Sequence, residues 1–112
     1  MDLPKIIRPE AVAWLLSGQV RPLVIDLRKD PDYAADPRRV PGAVKRSLAE
    51  IEGWGRALPP NRTLVVYCEQ GKSVGGAAVD WLRARGLAAC QVEGGFAAWR
   101  AAGLPMEPAG RV

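Results

Sequence analysis

The sequence predicts an α/β fold with three layers, in which a mostly parallel sheet of about five strands is covered by helices on both faces. Two features predict this architecture. Short apolar runs rich in β-branched residues alternate along the chain with segments whose apolar residues recur at helical spacing. The 12 glycines and 10 prolines punctuate the chain and form no low-complexity tract. Because 112 residues suit one compact domain, we expect a single domain over residues 1–112.

The first segments predict a strand, a helix, a second strand and a long loop. An extended stretch is expected around residues 5–7. The helix is predicted over Pro9–Leu16, since proline is tolerated in a first helical turn and Gly18 follows as a stop. The β-branched run Leu23–Leu27 predicts a buried strand. Residues 28–41, which hold three prolines, predict a structured loop with at most one helical turn.

The middle of the chain predicts an edge strand, a helix and the clearest strand. Residues 43–44 are expected to form the short edge strand. A helix is predicted over Ser47–Leu58, because Ser47 followed three residues later by Glu50 is the capping-box pattern. Thr63–Tyr67 is an uninterrupted run of strand formers and predicts a buried strand.

The last third predicts a helix, a strand and a closing helix. The first helix is expected from about Ser73 to Arg85, with Gly86 at the left-handed position that commonly ends helices. Ala88–Val92 predicts another short strand, and the closing helix carries Phe96 and Trp99 on its buried side. Because strands alternate with helices, we expect the strands to run parallel and to be joined by right-handed crossovers.

Charge and hydropathy restrict the kinds of partner that we expect. The formal net charge of +4 favours small anionic ligands, but the basic residues form no dense block, so no nucleic-acid partner is expected. The early apolar run, residues 11–16, is far shorter than the ~20 residues of a membrane span, so no membrane partner is expected. Two cysteines form no disulfide framework, and a cytoplasmic location is expected because thiols stay reduced there.

The sequence contains no histidine, and this excludes several chemistries. Catalytic pairs of the Ser–His and Cys–His kinds are impossible, and so is a metal site with histidine ligands. The two cysteines alone cannot complete a tetrahedral zinc site. We therefore expect no metal, and any catalysis must proceed without an imidazole.

Cys68 is the candidate nucleophile because of its position in the predicted fold. Ligands of parallel sheets bind beyond the carboxyl ends of the strands, and Cys68 directly follows a buried strand. Amides of the short loop after it, and of the helix that begins near Ser73, are expected to form an anion-binding nest around a solvent-accessible thiolate. Cys90 lies inside a predicted strand and is interpreted as a packing residue.

Three known loop motifs are excluded, each because one required residue is missing. A phosphate-binding P-loop ending at Gly71-Lys72-Ser73 would need glycine at residue 66, which is valine. A phosphatase or arsenate-reductase loop of the form Cys-x5-Arg would need arginine at residue 74, which is also valine. A thioredoxin-like Cys-x-x-Cys motif would need cysteine at residue 71.

Seven segments along nearly the whole chain form a recognisable pattern. They are Pro9–Leu16, Val24–Arg28, Asp32–Tyr33, Val40–Ala43, Val65–Cys68, Glu93–Trp99 and Gly103–Pro105. In this order and spacing they resemble the rhodanese, or thiosulfate sulfurtransferase, family, and its short single-domain members in particular. The resemblance implies a rhodanese-like three-layer fold and assigns Cys68 as the catalytic nucleophile.

The resemblance also implies roles for the residues around Cys68. The substrate-binding loop would consist of Glu69, Gln70, Gly71, Lys72 and Ser73. The six residues from Cys68 to Ser73 match the length of the sulfurtransferase loop, whereas phosphatase relatives have one more. Asp26 and Arg28 match positions that brace the loop region in the family, and a purely structural ion pair at the strand end is the alternative.

The loop departs from the family pattern at two positions. Many members carry arginine where this chain has Ser73, which is expected to cap the following helix and to donate a hydrogen bond to the sulfonate of the sulfur donor. Glu69 stands where a basic residue is frequent, and its negative charge is expected to weaken the binding of a dianion. Lys72 is expected to compensate for that charge.

The function implied by the resemblance is transfer of a sulfane sulfur from thiosulfate or a persulfide to cyanide or a thiol through a Cys68 persulfide. This sulfur-transfer chemistry implies no organic cofactor. An alternative is a persulfide relay or docking module that receives sulfur from one protein and turns over little free thiosulfate. The partners would then include a sulfur-relay protein. A third hypothesis is that the chain is a rhodanese-like phosphatase or arsenate reductase, and the valine at residue 74 argues against this hypothesis.

Overall fold

A five-stranded sheet in which every neighbouring pair of strands runs parallel forms the centre of the molecule. The computed structural model describes residues 3–108, so the two ends of the predicted domain, residues 1–2 and 109–112, lie outside the described part. The strands are β1 (Ile6–Ile7), β2 (Leu23–Asp26), β3 (Val44–Lys45), β4 (Thr63–Tyr67) and β5 (Ala88–Val92). They lie in the order β1-β5-β4-β2-β3, which confirms the predicted α/β sheet.

Residues 3–108 contain five α-helices, of which four connect successive strands and the fifth follows β5. They are α1 (Pro9–Leu16), α2 (Asp30–Ala35), α3 (Ile51–Arg56), α4 (Ser73–Ala84) and α5 (Gly95–Ala101). No helix among residues 3–108 is long and apolar enough to cross a lipid bilayer.

The helices cover both faces of the sheet because alternate side chains of each buried strand point to opposite sides. In β4, Val65 packs in one apolar cluster with residues of α1 and α5, and Val66 packs in the other with residues of α4. Val65 and Val66 are both fully buried. The central strand is therefore apolar on both faces, as expected for the middle of a parallel sheet.

The loop predicted over residues 28–41 contains a helix of six residues, α2, which is longer than the single turn expected. Pro31 lies in its first turn, where the proline ring presets a helical φ and no intrahelical N–H is needed. Asp30 and Asp32 place negative charge at the amino end of the helix dipole. Proline and aspartate, read as loop formers in the sequence, here begin a helix.

The predicted helix Ser47–Leu58 is shorter and divided. A 3-10 turn spans Leu48–Glu50, and the α-helix α3 begins only at Ile51. Ser47 Oγ accepts a hydrogen bond from Ala49 N at 3.2 Å, so the capping box with Glu50 is wrong, because the tighter turn presents a different amide to the hydroxyl. The edge strand is also shifted by one residue, to Val44–Lys45.

Candidate active site

Cys68 lies at the carboxyl end of β4, the middle strand of the sheet. Two amides from the first turn of α5 fix the backbone that follows it: Phe96 N donates to Cys68 O at 2.8 Å and Ala97 N donates to Glu69 O at 3.0 Å. Cys68 is only 7% exposed. It is thus more enclosed than the solvent-accessible thiolate that the sequence predicted, because the loop folds back onto the start of α5.

Two glycines allow the loop and the start of α5 to meet backbone to backbone. Gly71 and Gly95 have φ values of +69° and +64°, in the left-handed region that favours glycine. A Cβ atom on Gly95 would lie 2.5 Å from both Cys68 O and Gly71 N. A Cβ atom on Gly71 would lie 2.6 Å from Gly95 N. Side chains at either position would therefore push the loop off the helix.

The loop amides hold unused hydrogen-bonding capacity. Within residues 3–108, none of the amides of residues 69–75 donates a hydrogen bond to a protein atom, and the first bond at the start of α4 runs from Gly76 N to Lys72 O at 3.2 Å. Within the same range no hydrogen bond ends on Cys68 Sγ. Consecutive amides of this kind, at a loop that opens a helix, are suited to an anion.

Ser73 does not cap α4, so that part of the sequence expectation is wrong. The residue that precedes the helix is Lys72, and no side chain supplies a capping hydrogen bond there. Ser73 is already the first helical residue, where its hydroxyl is not positioned as an N-cap would be. Lys72, Ser73 and Gln70 are exposed, and their side chains remain available to a ligand.

The cation that balances Glu69 is Arg100 of α5. Arg100 Nη2 lies 2.8 Å from Glu69 Oε2, and Arg100 Nη1 lies 3.2 Å from Asp36 Oδ2. Asp36 in turn pairs with Arg38 at 2.8 Å. Among residues 3–108 the salt bridges do not include Lys72, which the sequence suggested as the compensating charge. No local sequence pattern indicates this pairing, because Glu69 and Arg100 are 31 positions apart.

This charge network lines a surface cleft of about 540 Å³ beside the loop. Hydrogen bonds from Arg38, together with the charge of Arg100, lower the pKa of Asp36 from 3.8 to about 2. The carboxylates of Asp36 and Glu69 are both neutralised by neighbouring guanidinium groups. The repulsion that Glu69 would exert on an anionic donor is consequently weaker than its charge alone suggests.

Asp26 and Arg28 form a buried ion pair at 2.8 Å, with side chains 1% and 0% exposed. Arg28 also donates to the carbonyl oxygens of Asp36 (2.6 Å) and Arg38 (2.7 Å). Its hydrogen bonds therefore go to the segment that carries Asp36 and not to residues 68–73. The guanidinium also lies 4.2 Å from the ring centroid of Phe96, whose amide fixes Cys68 O.

Tyr67 completes this buried cluster. Its hydroxyl donates to Asp26 Oδ2 at 3.0 Å and accepts from Val40 N at 3.3 Å. Burial, together with the negative charge of Asp26, raises the pKa of Tyr67 far above its usual value. The phenol therefore remains a hydrogen-bond donor, and it ties the end of β4 to β2 directly before Cys68.

Cys90 is more deeply buried than Cys68 and lies inside a strand, whereas Cys68 is followed by a loop. It is fully buried in β5, and its thiol donates to Leu64 O at 3.7 Å. Burial raises the pKa of Cys90 to about 11. The structure agrees with its interpretation as a packing residue.

Gln91 is a buried residue near the loop that the sequence did not single out. It is 7% exposed, and its carboxamide lies against Gly75 in the first turn of α4, where a Cβ atom would meet Gln91 Oε1. The absence of a side chain at Gly75 thus allows the start of α4 to approach β5 of the sheet closely.

Comparisons with known proteins agree with this geometry. Residues 9–102 match the profile of the rhodanese-like domain. A rhodanese-related protein from Thermoplasma volcanium superposes with a TM-score of 0.78 at 21% identity, over 92% of this chain and 97% of that one. A thiosulfate sulfurtransferase from Pseudomonas aeruginosa gives 0.79 at 27% identity, over 96% of this chain but 20% of that one. A protein of unknown function from Rhodopseudomonas palustris, described as a possible tyrosine phosphatase, superposes with a TM-score of 0.77 at 26% identity. The match covers 92% of this chain and 84% of that one. No curated protein sequence matches the chain.

Proposed function

Because the chain belongs to the rhodanese-like domain family, we propose that it is a sulfurtransferase that carries a sulfane sulfur on Cys68 as a persulfide. The observation that supports this most directly is the set of amides at residues 69–75, which have no acceptor among residues 3–108 and directly follow Cys68. Such donors favour a sulfur that bears negative charge. Cys90, with its raised pKa and full burial, is unsuited to the role.

The proposed reaction has two steps at one sulfur atom. The Cys68 thiolate attacks the outer sulfur of thiosulfate, forming a bond to it while the bond to the sulfonate sulfur breaks and sulfite leaves with the electron pair. The product is a Cys68 persulfide. An acceptor then attacks the terminal sulfur; cyanide becomes thiocyanate, a thiolate becomes a persulfide, and the Cys68 thiolate is regenerated. The second step uses the same amides, since the anionic sulfur remains at the loop.

Steady-state kinetics test this proposal. Thiosulfate and cyanide should yield thiocyanate with the parallel double-reciprocal lines of a ping-pong reaction. Cys68→Ala should abolish the activity, while Cys90→Ala, a matched control at the other thiol, should retain it. Thiocyanate formation that survives Cys68→Ala would refute the assignment.

A persulfide relay module is the second candidate, and two observations favour it. Cys68 is only 7% exposed, and the next residue, Glu69, carries a carboxylate whose charge Arg100 offsets but does not remove. In this role the domain receives sulfur from a protein persulfide and turns over little free thiosulfate. Glu69→Gln separates the candidates: a several-fold fall in the KM for thiosulfate identifies repulsion as the barrier to a working enzyme. If Glu69→Gln leaves thiosulfate turnover very slow, and a protein persulfide transfers sulfur to Cys68 rapidly, the relay is favoured.

A phosphatase or arsenate reductase role has less support. The similarity to a possible tyrosine phosphatase favours this role, but Val74 stands where the Cys-x5-Arg loop needs arginine. Val74 is partly buried and packs against the apolar cluster beneath α4. No guanidinium is therefore placed at that position to hold a phosphoryl group. Hydrolysis of an aryl phosphate that depends on Cys68 would support this role over sulfur transfer.

A further inference from the structure

A groove lies beside the uncovered half of β2. β3 is only two residues long and pairs with Ile25 and Asp26, so no strand formed by residues 3–108 covers the first half of β2 on that side. A cavity of about 610 Å³ occupies this edge, between the end of α1, the turn before β3 and the end of α3. Its volume falls within the range of about 300–1,000 Å³ that is typical of small-molecule sites.

The floor of the groove is apolar. The apolar residues that line it include Leu16, Pro22, Leu23, Val44, Trp54 and Leu58. The indole of Trp54 is held in place, since its Nε1 donates to Ser47 O at 2.8 Å. Val44 is 45% exposed, which is high for a valine in a strand. An apolar surface of this kind, with a polar rim, is typical of a ligand-binding groove.

The mouth of the groove carries positive charge. Arg21 and Arg46 both line it, and the salt bridges of residues 3–108 include neither. The acidic lining residue Glu107 is paired through Oε1 with Arg39 at 3.1 Å and with the amide of Gly42 at 2.9 Å. Arg46 Nη1 donates to Lys45 O at 2.8 Å, but this carbonyl leaves the positive charge of Arg46 without a carboxylate partner among residues 3–108. The charges of Arg21 and Arg46 therefore favour an anionic ligand.

We propose that this groove binds a free organic carboxylate with a hydrocarbon body. The carboxylate pairs with Arg21 and Arg46, and the hydrocarbon packs against Trp54 and Leu58. Neither feature suffices alone, because exposed charge pairs bind weakly in water and an apolar body by itself leaves the arginines unpaired. No residue of the loop 68–73 lines the groove, so this site is separate from Cys68 and does not depend on the sulfur chemistry.

Octanoate is a suitable probe. 1-Octanol, which lacks the charge, and acetate, which lacks the hydrocarbon body, are the controls. Titration of the ¹⁵N-labelled full chain should produce saturable amide shifts confined to the lining residues. Each added methylene should strengthen binding about two- to fourfold, so decanoate should bind more tightly than octanoate. Octanol and acetate should each bind more weakly at the same residues.

Variants test the two halves of the site separately. Arg21→Gln with Arg46→Gln should weaken octanoate about tenfold and leave octanol unchanged, as expected for the loss of two partly exposed charge pairs. Arg8→Gln, at an exposed arginine outside the groove, is the matched control and should have no effect. Leu58→Gln should weaken octanoate and octanol alike. Dispersed amide spectra verify that each variant is folded.

Four results would overturn the proposal. Equal affinities for octanoate and octanol would show that the arginines are not used, and equal affinities for octanoate and acetate would show that the floor is not used. Shifts centred on residues 68–73, or on Trp14, an exposed tryptophan outside the groove, would place the ligand elsewhere. Absence of saturable binding below about 10 mM would mean that the groove is not a carboxylate site.

Discussion

Replacing Gly95 with alanine tests whether the turn before α5 shapes the Cys68 loop. Gly95 has φ +64°, and a Cβ atom there would lie 2.5 Å from Cys68 O and Gly71 N and 2.6 Å from Glu69 O. All three are backbone atoms, so no flexible side chain can move aside. Gly103→Ala is a matched control, because Gly103 has φ +67° but a Cβ atom would meet nothing within 4 Å.

Both substitutions impose the energetic cost of a positive φ, but only Gly95→Ala adds a steric overlap. A non-glycine residue in the left-handed region costs about 1–2 kcal/mol, and this applies to both positions. Gly95→Ala adds the cost of overpacking against rigid backbone, about 1–3 kcal/mol. We therefore expect a loss of about 2–5 kcal/mol for Gly95→Ala and about 1–2 kcal/mol for Gly103→Ala, so that the difference isolates the close contact with the loop.

Urea unfolding measures the free energies, and the rate of Cys68 alkylation measures the local effect. Gly95→Ala should change both the stability and the alkylation rate of Cys68, because the loop must move to admit the methyl group. Gly103→Ala should change the stability alone. Equal losses of stability in the two variants, with equal alkylation rates, would refute the reasoning that Gly95 positions the loop.

Three further predictions concern the buried charges, the surface carboxylate and the thiols. Arg28→Met leaves the carboxylate of Asp26 buried without its partner and should lower the free energy of unfolding by about 3–5 kcal/mol; a loss below about 1 kcal/mol would contradict a buried pair. The pKa of Asp36 is about 2, below its ordinary 3.8, so its contribution to stability is present above about pH 4 and is lost as the pH falls towards 2. Acid unfolding of Asp36→Asn should accordingly be less steep in that interval, and an unchanged profile would argue against the pairing with Arg38. Iodoacetamide at pH 8 should modify Cys68 in the folded protein and Cys90 only after denaturation, because burial raises the pKa of Cys90 to about 11; peptide mapping that finds Cys90 modified in the native state would contradict this.

The sheet was predictable because its longer strands, β2, β4 and β5, are mostly apolar runs. β4 (Thr63–Tyr67), β5 (Ala88–Val92) and α1 (Pro9–Leu16) have the predicted bounds. The position of Cys68 followed from β4, since a residue directly after a central parallel strand lies at the edge where ligands bind. A helix or strand with one buried face shows a clear periodic pattern of apolar residues in the sequence. A functional residue at the end of such an element can therefore be located once the element is predicted.

Features that depend on contacts distant in the sequence could not be predicted. The pairing of Glu69 with Arg100 joins two elements that the topology brings together, and neither residue carries a local signal for the other. The contact of Gly71 with Gly95 is of the same kind. The cap at Ser73 failed for a local reason: the helix begins at Ser73 itself, and a shift of one residue removes a cap.

The most direct test of the account is the mass of the intact protein after a single exposure to thiosulfate. We expect a gain of one sulfur atom that maps to the peptide containing Cys68 and is reversed by cyanide. The gain should be absent in Cys68→Ala and present in Cys90→Ala. A protein that gains no sulfur from thiosulfate or from a small-molecule or protein persulfide, or that still gains it in Cys68→Ala, would contradict the claim that Cys68 carries the transferred atom.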